Sequence, residues 1–245
     1  PTTSSAASDV YKRQPQMRGT NEIFEEIIRG EGVKYTALTP NLKGFENALH
    51  AKVDEVAVFA AASETFSQKN VNCSIDESLA RFRDIFEKAR QKKIPVRGYV
   101  SCVVECPYEG YVAPKRVLEV TSKLLDMGCY EVSLGDTIGK GTPKKIDELL
   151  NVICESLNPE QLAGHFHDTS DYAIKNVEVG LKYGIRTFDT AIGGLGGCPY
   201  APGAKGNLST VQLINAIGIE SFLGIPDLEM PVSYTHLRAH ETQFH

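Results

Sequence analysis

Two histidines one residue apart, in the run Gly164-His165-Phe166-His167-Asp168, are the pair in this chain best suited to chemistry. On an extended strand residues i and i+2 project to the same side, about 7 Å apart. Two imidazoles so placed converge on one divalent cation when further ligands come from elsewhere. The plainer alternative is two strand-end histidines bonded to their neighbours. Imidazoles suit a transition metal, and Mg2+ or Mn2+ become suitable once oxygen ligands complete the shell. A second feature is the segment 193–207, GGLGGCPYAPGAKGN, with six glycines and two prolines in fifteen positions. It is long for a strand-to-helix connection, which marks it as a functional loop or lid. It holds Cys198, a thiol able to act as acid, base or nucleophile if its pKa is lowered. It also holds Asn207, whose amide oxygen could complete a metal shell. The alternative is a flexible surface loop with an incidental thiol.

Asp136 closes the apolar run Ser133-Leu134-Gly135-Asp136-Thr137. It either orients an imidazole or caps the turn that follows. Cys102 and Cys106 read as packing residues, and Arg90, Lys92 and Lys93 as a solvated helix end.

These side chains need a scaffold, and the chain alternates β-rich runs with amphipathic ones. Strands are predicted over 33–38, 55–61, 96–103, 131–136, 162–168 and 187–192. Helices are predicted near 42–51, 74–92, 114–127, 143–157, 170–183 and 208–217. Pro114 and Pro143 stand where a first helical turn begins, and Ser74 with Glu77 forms a capping-box pattern. Gly128, Gly180 and Gly184 fall near helix ends. The rhythm implies βαβ units and a parallel sheet. No glycine-rich phosphate loop follows the first strand, so a TIM (β/α)8 barrel is the better reading than a Rossmann-type sheet. Six units are countable. Two are expected to be missing on the N-terminal side, with 16–29 as the helix after the second of them. Strand ends then carry Asn41, Ser63 with Glu64, Ser101 with Cys102, Asp136 and the two histidines, and the last strand runs into the glycine loop. The barrel's carboxyl face is where catalysis is expected. An incomplete barrel exposes strand edges and part of its core, so poor solubility is expected.

The chain has 245 residues, 31 acidic against 26 basic, and a formal net charge of −5. That balance argues against a dedicated nucleic-acid binder. No apolar run approaches the roughly 18 residues of a membrane helix. Six cysteines without zinc-ribbon or thioredoxin spacing read as reduced thiols in a cytosol-like compartment. Residues 1–14 and 232–245 carry no periodic pattern and are read as non-native tails around a domain at 15–231; His236, His240 and His245 are discounted as ligands.

Several motifs together resemble the 3-hydroxy-3-methylglutaryl-CoA lyase family. They are Gly194-Leu195-Gly196-Gly197-Cys198-Pro199-Tyr200, Leu38-Thr39-Pro40-Asn41-Leu42-Lys43-Gly44, Arg97-Gly98-Tyr99-Val100-Ser101-Cys102, Cys106-Pro107-Tyr108-Glu109-Gly110 and Ser133-Leu134-Gly135-Asp136-Thr137-Ile138-Gly139. The similarity spans about residues 15–225. It implies a metal-dependent TIM barrel that cleaves 3-hydroxy-3-methylglutaryl-CoA to acetyl-CoA and acetoacetate, in leucine catabolism and ketone-body formation. It implies His165, His167 and Asn207 as ligands of Mg2+ or Mn2+, His165 also in proton transfer, Cys198 as catalytic cysteine and Asp136 as an acidic residue needed for activity. It further implies an acyl-CoA substrate, a homodimer at full length, no nucleic-acid or membrane partner, and a bacterial cytoplasmic or mitochondrial matrix location. The family's Arg-Asp-Gly motif, which supplies another metal ligand and a catalytic arginine, does not occur in this sequence, nor does the glutamate expected on its second strand. The 245 residues alone are therefore expected to be inactive. The alternatives are a related condensing enzyme, citramalate or isopropylmalate synthase-like, and a non-catalytic barrel.

Overall fold

A computed structural model describes residues 20–196 and 206–218. The expected tails and Cys198 lie outside the described residues. Six strands form one parallel sheet: β1 (Thr36–Leu38), β2 (Glu55–Ala61), β3 (Val96–Ser101), β6 (Glu131–Asp136), β7 (Leu162–Phe166) and β8 (Thr187–Asp189). A separate hairpin pairs β4 (Glu105–Cys106) with β5 (Gly110–Tyr111). The large sheet keeps its strands in chain order with every neighbour parallel. Order in sequence without reversal is the arrangement of a (β/α)8 barrel, not of a doubly wound sheet. The described residues build six strands of such a barrel, with β1 and β8 as its edges. Large apolar side chains stand exposed around β1: Ile23, Ile27, Ile28, Val33 and Leu38.

The connecting helices are α1 (Thr20–Glu26), α2 (Leu42–His50), α3 (Glu64–Val71), α4 (Ile75–Lys92), α5 (Pro114–Met127), α6 (Pro143–Cys154), α7 (Ala173–Lys182) and α8 (Thr210–Ile217). Local chemistry sets their ends. Ser74 and Glu77 make the full capping box at the start of α4. Thr142 caps α6 ahead of Pro143, and Pro114 opens α5. Gly128 ends α5 at φ 116°, a backbone region in which only glycine is unstrained.

Strand register fixes which side chains face the site. The paired rows Ala57–Arg97–Glu131 and Phe59–Tyr99–Ser133–Ala163–Thr187 lie on one face of the sheet, continued by Ser101–Gly135–His165–Asp189. The alternate residues Val56, Val58, Val96, Val100, Val132, Leu134, Leu162 and Phe166 belong to the apolar core with Leu124, Ile146, Leu150 and Ile153 of the helices. The barrel therefore turns its polar row inward and its apolar row toward the helices.

Two differences from expectation have local physical causes, and three strands are shorter than expected. Helix α3 occupies a stretch for which no helix is predicted: Ser63 caps it, and Asn72 ends it in the left-handed region at φ 52°. Strand β3 stops at Ser101, not 103, because Cys102 turns the chain at φ 60°. The expected strands at 33–38, 162–168 and 187–192 are also shorter: β1 begins at Thr36, β7 ends at Phe166 and β8 ends at Asp189.

Candidate active site at the carboxyl rim

His165 lies on β7, and His167 lies one residue beyond its end. Their ring centroids are 5.3 Å apart, so the i, i+2 expectation places both imidazoles on the same side. The chain returns to them after the glycine loop. Asn207 forms an antiparallel bridge with His167, fixed on either side by Asp168 N–H donating to the Gly206 carbonyl at 3.1 Å and Leu208 N–H donating to the Phe166 carbonyl at 3.2 Å. The Asn207 amide nitrogen donates to the Leu195 carbonyl at 2.9 Å. That contact leaves the amide oxygen free to face elsewhere, and the Asn207 side chain bonds the His167 ring. His165, His167 and Asn207 are thus brought together.

Burial, and then the neighbouring His165, lower the His167 pKa to about 4. A neutral imidazole is the form that binds a metal. Among the described residues no group of three or more His, Cys, Asp or Glu is placed to hold a metal ion; the third donor here is a carboxamide. Two imidazoles and an amide oxygen turned toward one of them fit a divalent cation as part of its shell.

Asp136 is buried at the end of β6. Its two carboxylate oxygens accept the amides of Lys140 at 3.1 Å and Gly141 at 2.7 Å. Of the two expectations for it, the turn cap is the one realised; it does not orient an imidazole. Burial pushes its pKa up to about 6. The turn it closes is tied to three neighbours. Thr137 Oγ1 accepts the Cys102 amide at 2.7 Å, Ser170 donates to the Gly139 carbonyl at 2.7 Å, and Asn176 donates to the Gly141 carbonyl at 2.8 Å. Thr137 also holds the His167 ring through its backbone. Asp136 therefore supports His167 at one remove.

The imidazole that is held by a carboxylate is His165, and the carboxylate is Asp189, with Nδ1 3.2 Å from Oδ2. Asp189 Oδ2 also accepts the Ser133 hydroxyl at 2.7 Å, while Oδ1 accepts Arg97 Nη1 at 2.8 Å. Arg97 Nε donates to Glu131 at 2.7 Å, and Nη1 also meets the Tyr99 hydroxyl. Burial opposes the Arg97 charge, but Asp189, Tyr99 and Glu131 more than offset it and hold the guanidinium firmly protonated. Burial, then Asp189, pushes the Tyr99 hydroxyl up to about 12. Sequence reasoning missed this network. Its signal was present: Arg97, Tyr99, Glu131, Ser133 and Asp189 sit at alternate positions of otherwise apolar strands.

Other rim residues serve the scaffold. Asn41 caps α2 through Gly44 N–H at 2.9 Å. Ser63 accepts the Phe66 amide at 3.0 Å and donates to the Cys106 sulfur at 3.0 Å. Cys102 and Cys106 are fully buried packing residues, as expected. At the start of the loop Gly193, Gly194 and Gly196 all take positive φ.

A parallel barrel with imidazoles and a carboxamide gathered at the carboxyl ends of its strands defines a rim-site α/β-barrel protein. The HMGL-like family model matches residues 14–241, and the chain belongs to that family. It is 53% identical over 200 residues to a hydroxymethylglutaryl-CoA lyase of Pseudomonas mevalonii, covering 82% of this chain and 66% of that protein. The solved HMG-CoA lyase of Brucella melitensis superposes with a TM-score of 0.88 at 45% identity, covering 94% of this chain and 81% of the other. An HMG-CoA lyase of Acinetobacter baumannii, solved with coenzyme A and 3-methylmalate, superposes with a TM-score of 0.82 at 34% identity, covering 89% of this chain and 71% of the other. The chain spans just under two thirds of the Pseudomonas mevalonii relative. Further relatives carry cytoplasmic and mitochondrial names.

Proposed function

We propose that this chain is the greater part of a lyase that cleaves 3-hydroxy-3-methylglutaryl-CoA to acetyl-CoA and acetoacetate. The observation that carries the reading is the meeting of His165, His167 and Asn207 at the rim of a barrel whose relatives are named for this activity. The condensing-enzyme and non-catalytic alternatives draw no support from those names. His165, His167 and Asn207 would hold a divalent cation, Mg2+ or Mn2+, which when bound lowers the pKa of a ligated hydroxyl and fixes the substrate's oxygens. Cleaving the bond next to a tertiary alcohol requires removal of the hydroxyl proton. In this reading His165 takes that proton on Nε2, the ring nitrogen not engaged by Asp189; that nitrogen has one lone pair, so it serves the cation and the proton in turn and not at once. The departing thioester enolate is protonated by Cys198 from the glycine loop. Asp136 acts by holding the turn that carries Thr137 beneath His167. The relative crystallised with coenzyme A supports an acyl-CoA substrate; homodimer formation is part of the same reading and rests on the resemblance.

The sequence has no Arg-Asp-Gly motif, so the test supplies one. Residues 15–231 replace the matching region of the Pseudomonas mevalonii relative, and acetoacetate release is measured with Mg2+ and with Mn2+. Turnover is expected in the chimera and is expected to vanish on His165→Ala or His167→Ala. A folded chimera without acetoacetate release refutes the reading.

A further inference from the structure

We infer that Asp189 is the positioning residue that sets the tautomer of His165, and that Arg97 is what makes Asp189 able to do so. This deepens the lyase reading and rests on it for the metal consequence alone. The geometry is specific atom by atom. Asp189 Oδ1 accepts from Arg97 Nη1 at 2.8 Å, and Oδ2 accepts from Ser133 Oγ at 2.7 Å while facing His165 Nδ1 at 3.2 Å. An ionised carboxylate only accepts, so Nδ1 must carry the ring hydrogen. The lone pair is then on Nε2, on the opposite side of the ring from Asp189, the side left for a cation or for a substrate hydroxyl.

Arg97 makes this arrangement directional. Its guanidinium has donors only, is buried with 9% of its side chain exposed, and is anchored from behind by Glu131 at 2.7 Å. Whatever replaces Asp189 must therefore put an acceptor on the Arg97 side. In Asp189→Asn the carbonyl oxygen is held at Arg97, and the NH2 group is forced into the place of Oδ2. Ser133 can reverse its hydroxyl and accept one of the two hydrogens. The other faces His165 Nδ1, which must then accept. The ring hydrogen moves to Nε2, and the lone pair leaves the rim. A substitution that preserves volume and removes one charge thus inverts the imidazole without moving it. The same parity of strand positions that puts Arg97 and Glu131 in the barrel interior places Asp189 level with His165, its register partner on β7.

The test uses the full 245-residue chain, labelled with 15N at histidine, at about pH 8, where a free imidazole is neutral. Long-range 1H–15N spectra identify which ring nitrogen of His165 lacks hydrogen, with His165→Gln providing the assignment. The wild-type chain is expected to show Nε2 bare and a protected Nδ1 hydrogen. Asp189→Asn is expected to show Nδ1 bare and to bind Mn2+, titrated alone by calorimetry, 10- to 100-fold more weakly, the usual loss when an outer partner of a ligand histidine is removed. A wild-type His165 with its hydrogen on Nε2 overturns the inference whether or not the variant folds. So does a folded Asp189→Asn chain with Nε2 still bare or with Mn2+ affinity within twofold of wild type. If the wild-type chain binds no Mn2+ while the tautomer inverts as described, the positioning role stands and the metal part of the lyase reading falls.

Discussion

Replacing Arg97 with Met isolates what the charged network does for the barrel. Arg97 and Glu131 each expose 9% of their side chains, and Asp189 exposes 20%. The guanidinium donates to both carboxylates at 2.7 and 2.8 Å and lies over the Tyr99 ring at 4.9 Å. Methionine fills much of the volume but supplies no donor. Glu131 is left as a buried carboxylate without its cation, and Asp189 keeps only Ser133 and His165. Removing one partner of a buried pair costs about 3–5 kcal/mol, because the other charge stays desolvated and uncompensated. In a chain of this size each kcal/mol moves Tm by about 2–4 °C, so a fall of roughly 6–20 °C is expected in a thermal melt followed by circular dichroism. The double variant Arg97→Met with Glu131→Leu removes the Arg97–Glu131 charges, leaves Asp189 with Ser133 and His165, and is expected to recover the part of the loss that comes from Glu131. The exposed pair Lys88–Glu46 sits at a similar distance, 2.7 Å, but with 42% and 49% exposure, so Lys88→Met is expected to change stability by less than about 1 kcal/mol. An Arg97→Met chain within 1 kcal/mol of wild type, or a double variant no better than the single, refutes the reasoning.

Ser74→Ala removes the hydroxyl half of the α4 capping box and is expected to cost about 1 kcal/mol in urea unfolding; no measurable change would mean the cap is not formed in solution. Gly139→Ala places a methyl 2.6 Å from the Thr169 side chain at a φ of +63°. The backbone strain and overpacking together are expected to cost about 2–4 kcal/mol, and a melt unchanged from wild type would rule out that turn geometry. Burial raises Asp136 from 3.8 to about 6. The folded chain therefore holds this proton to higher pH than the unfolded one, and the group's stabilising contribution is present below about pH 4 and lost as pH rises through 6. Between pH 4 and 7 the stability of Asp136→Asn relative to wild type is expected to rise by up to about 3 kcal/mol; urea midpoints across that range measure it, and a flat or falling difference contradicts the assignment.

The fold was legible where local backbone chemistry and periodicity coincide. Helix α5 runs over the expected residues because Pro114 and Gly128 mark both of its ends with conformations other residues rarely favour. Strands β2 and β6 also match, since each is a short apolar run with turn residues on both sides. Two of the misses depend on a non-glycine residue adopting positive φ. Asn72 separates α3 from α4 at a left-handed helix end that asparagine suits, and Cys102 ends β3, where cysteine announces no such turn. Ser63, expected only as a polar strand-end residue, has its hydroxyl committed to starting a helix.

The same distinction governs the site. His165 and His167 are legible because a two-residue spacing on one strand is a local fact. Asn207 is legible through its amide and the family resemblance; its bridge to His167 is a long-range contact that only the fold supplies. Arg97 and Asp189 are 92 positions apart, and nothing short of strand register brings them into contact. Yet the alternation that register acts upon is written in each strand. Arg97, Tyr99 and Ser101 share a parity, as do Glu131, Ser133 and Gly135, while Val96, Val100, Val132 and Leu134 share the other. The inner polar row and the outer apolar row are one pattern, read from its two sides. Packing of the helices on Val132, Leu134, Leu162 and Phe166 fixes the register, and the register aims His165 at Asp189. A slip of β7 by a single residue would turn Phe166 into the barrel and drive both imidazoles beneath the helices, losing the core and the site together. The hydrophobic term that folds this chain is in that sense also what positions its histidines.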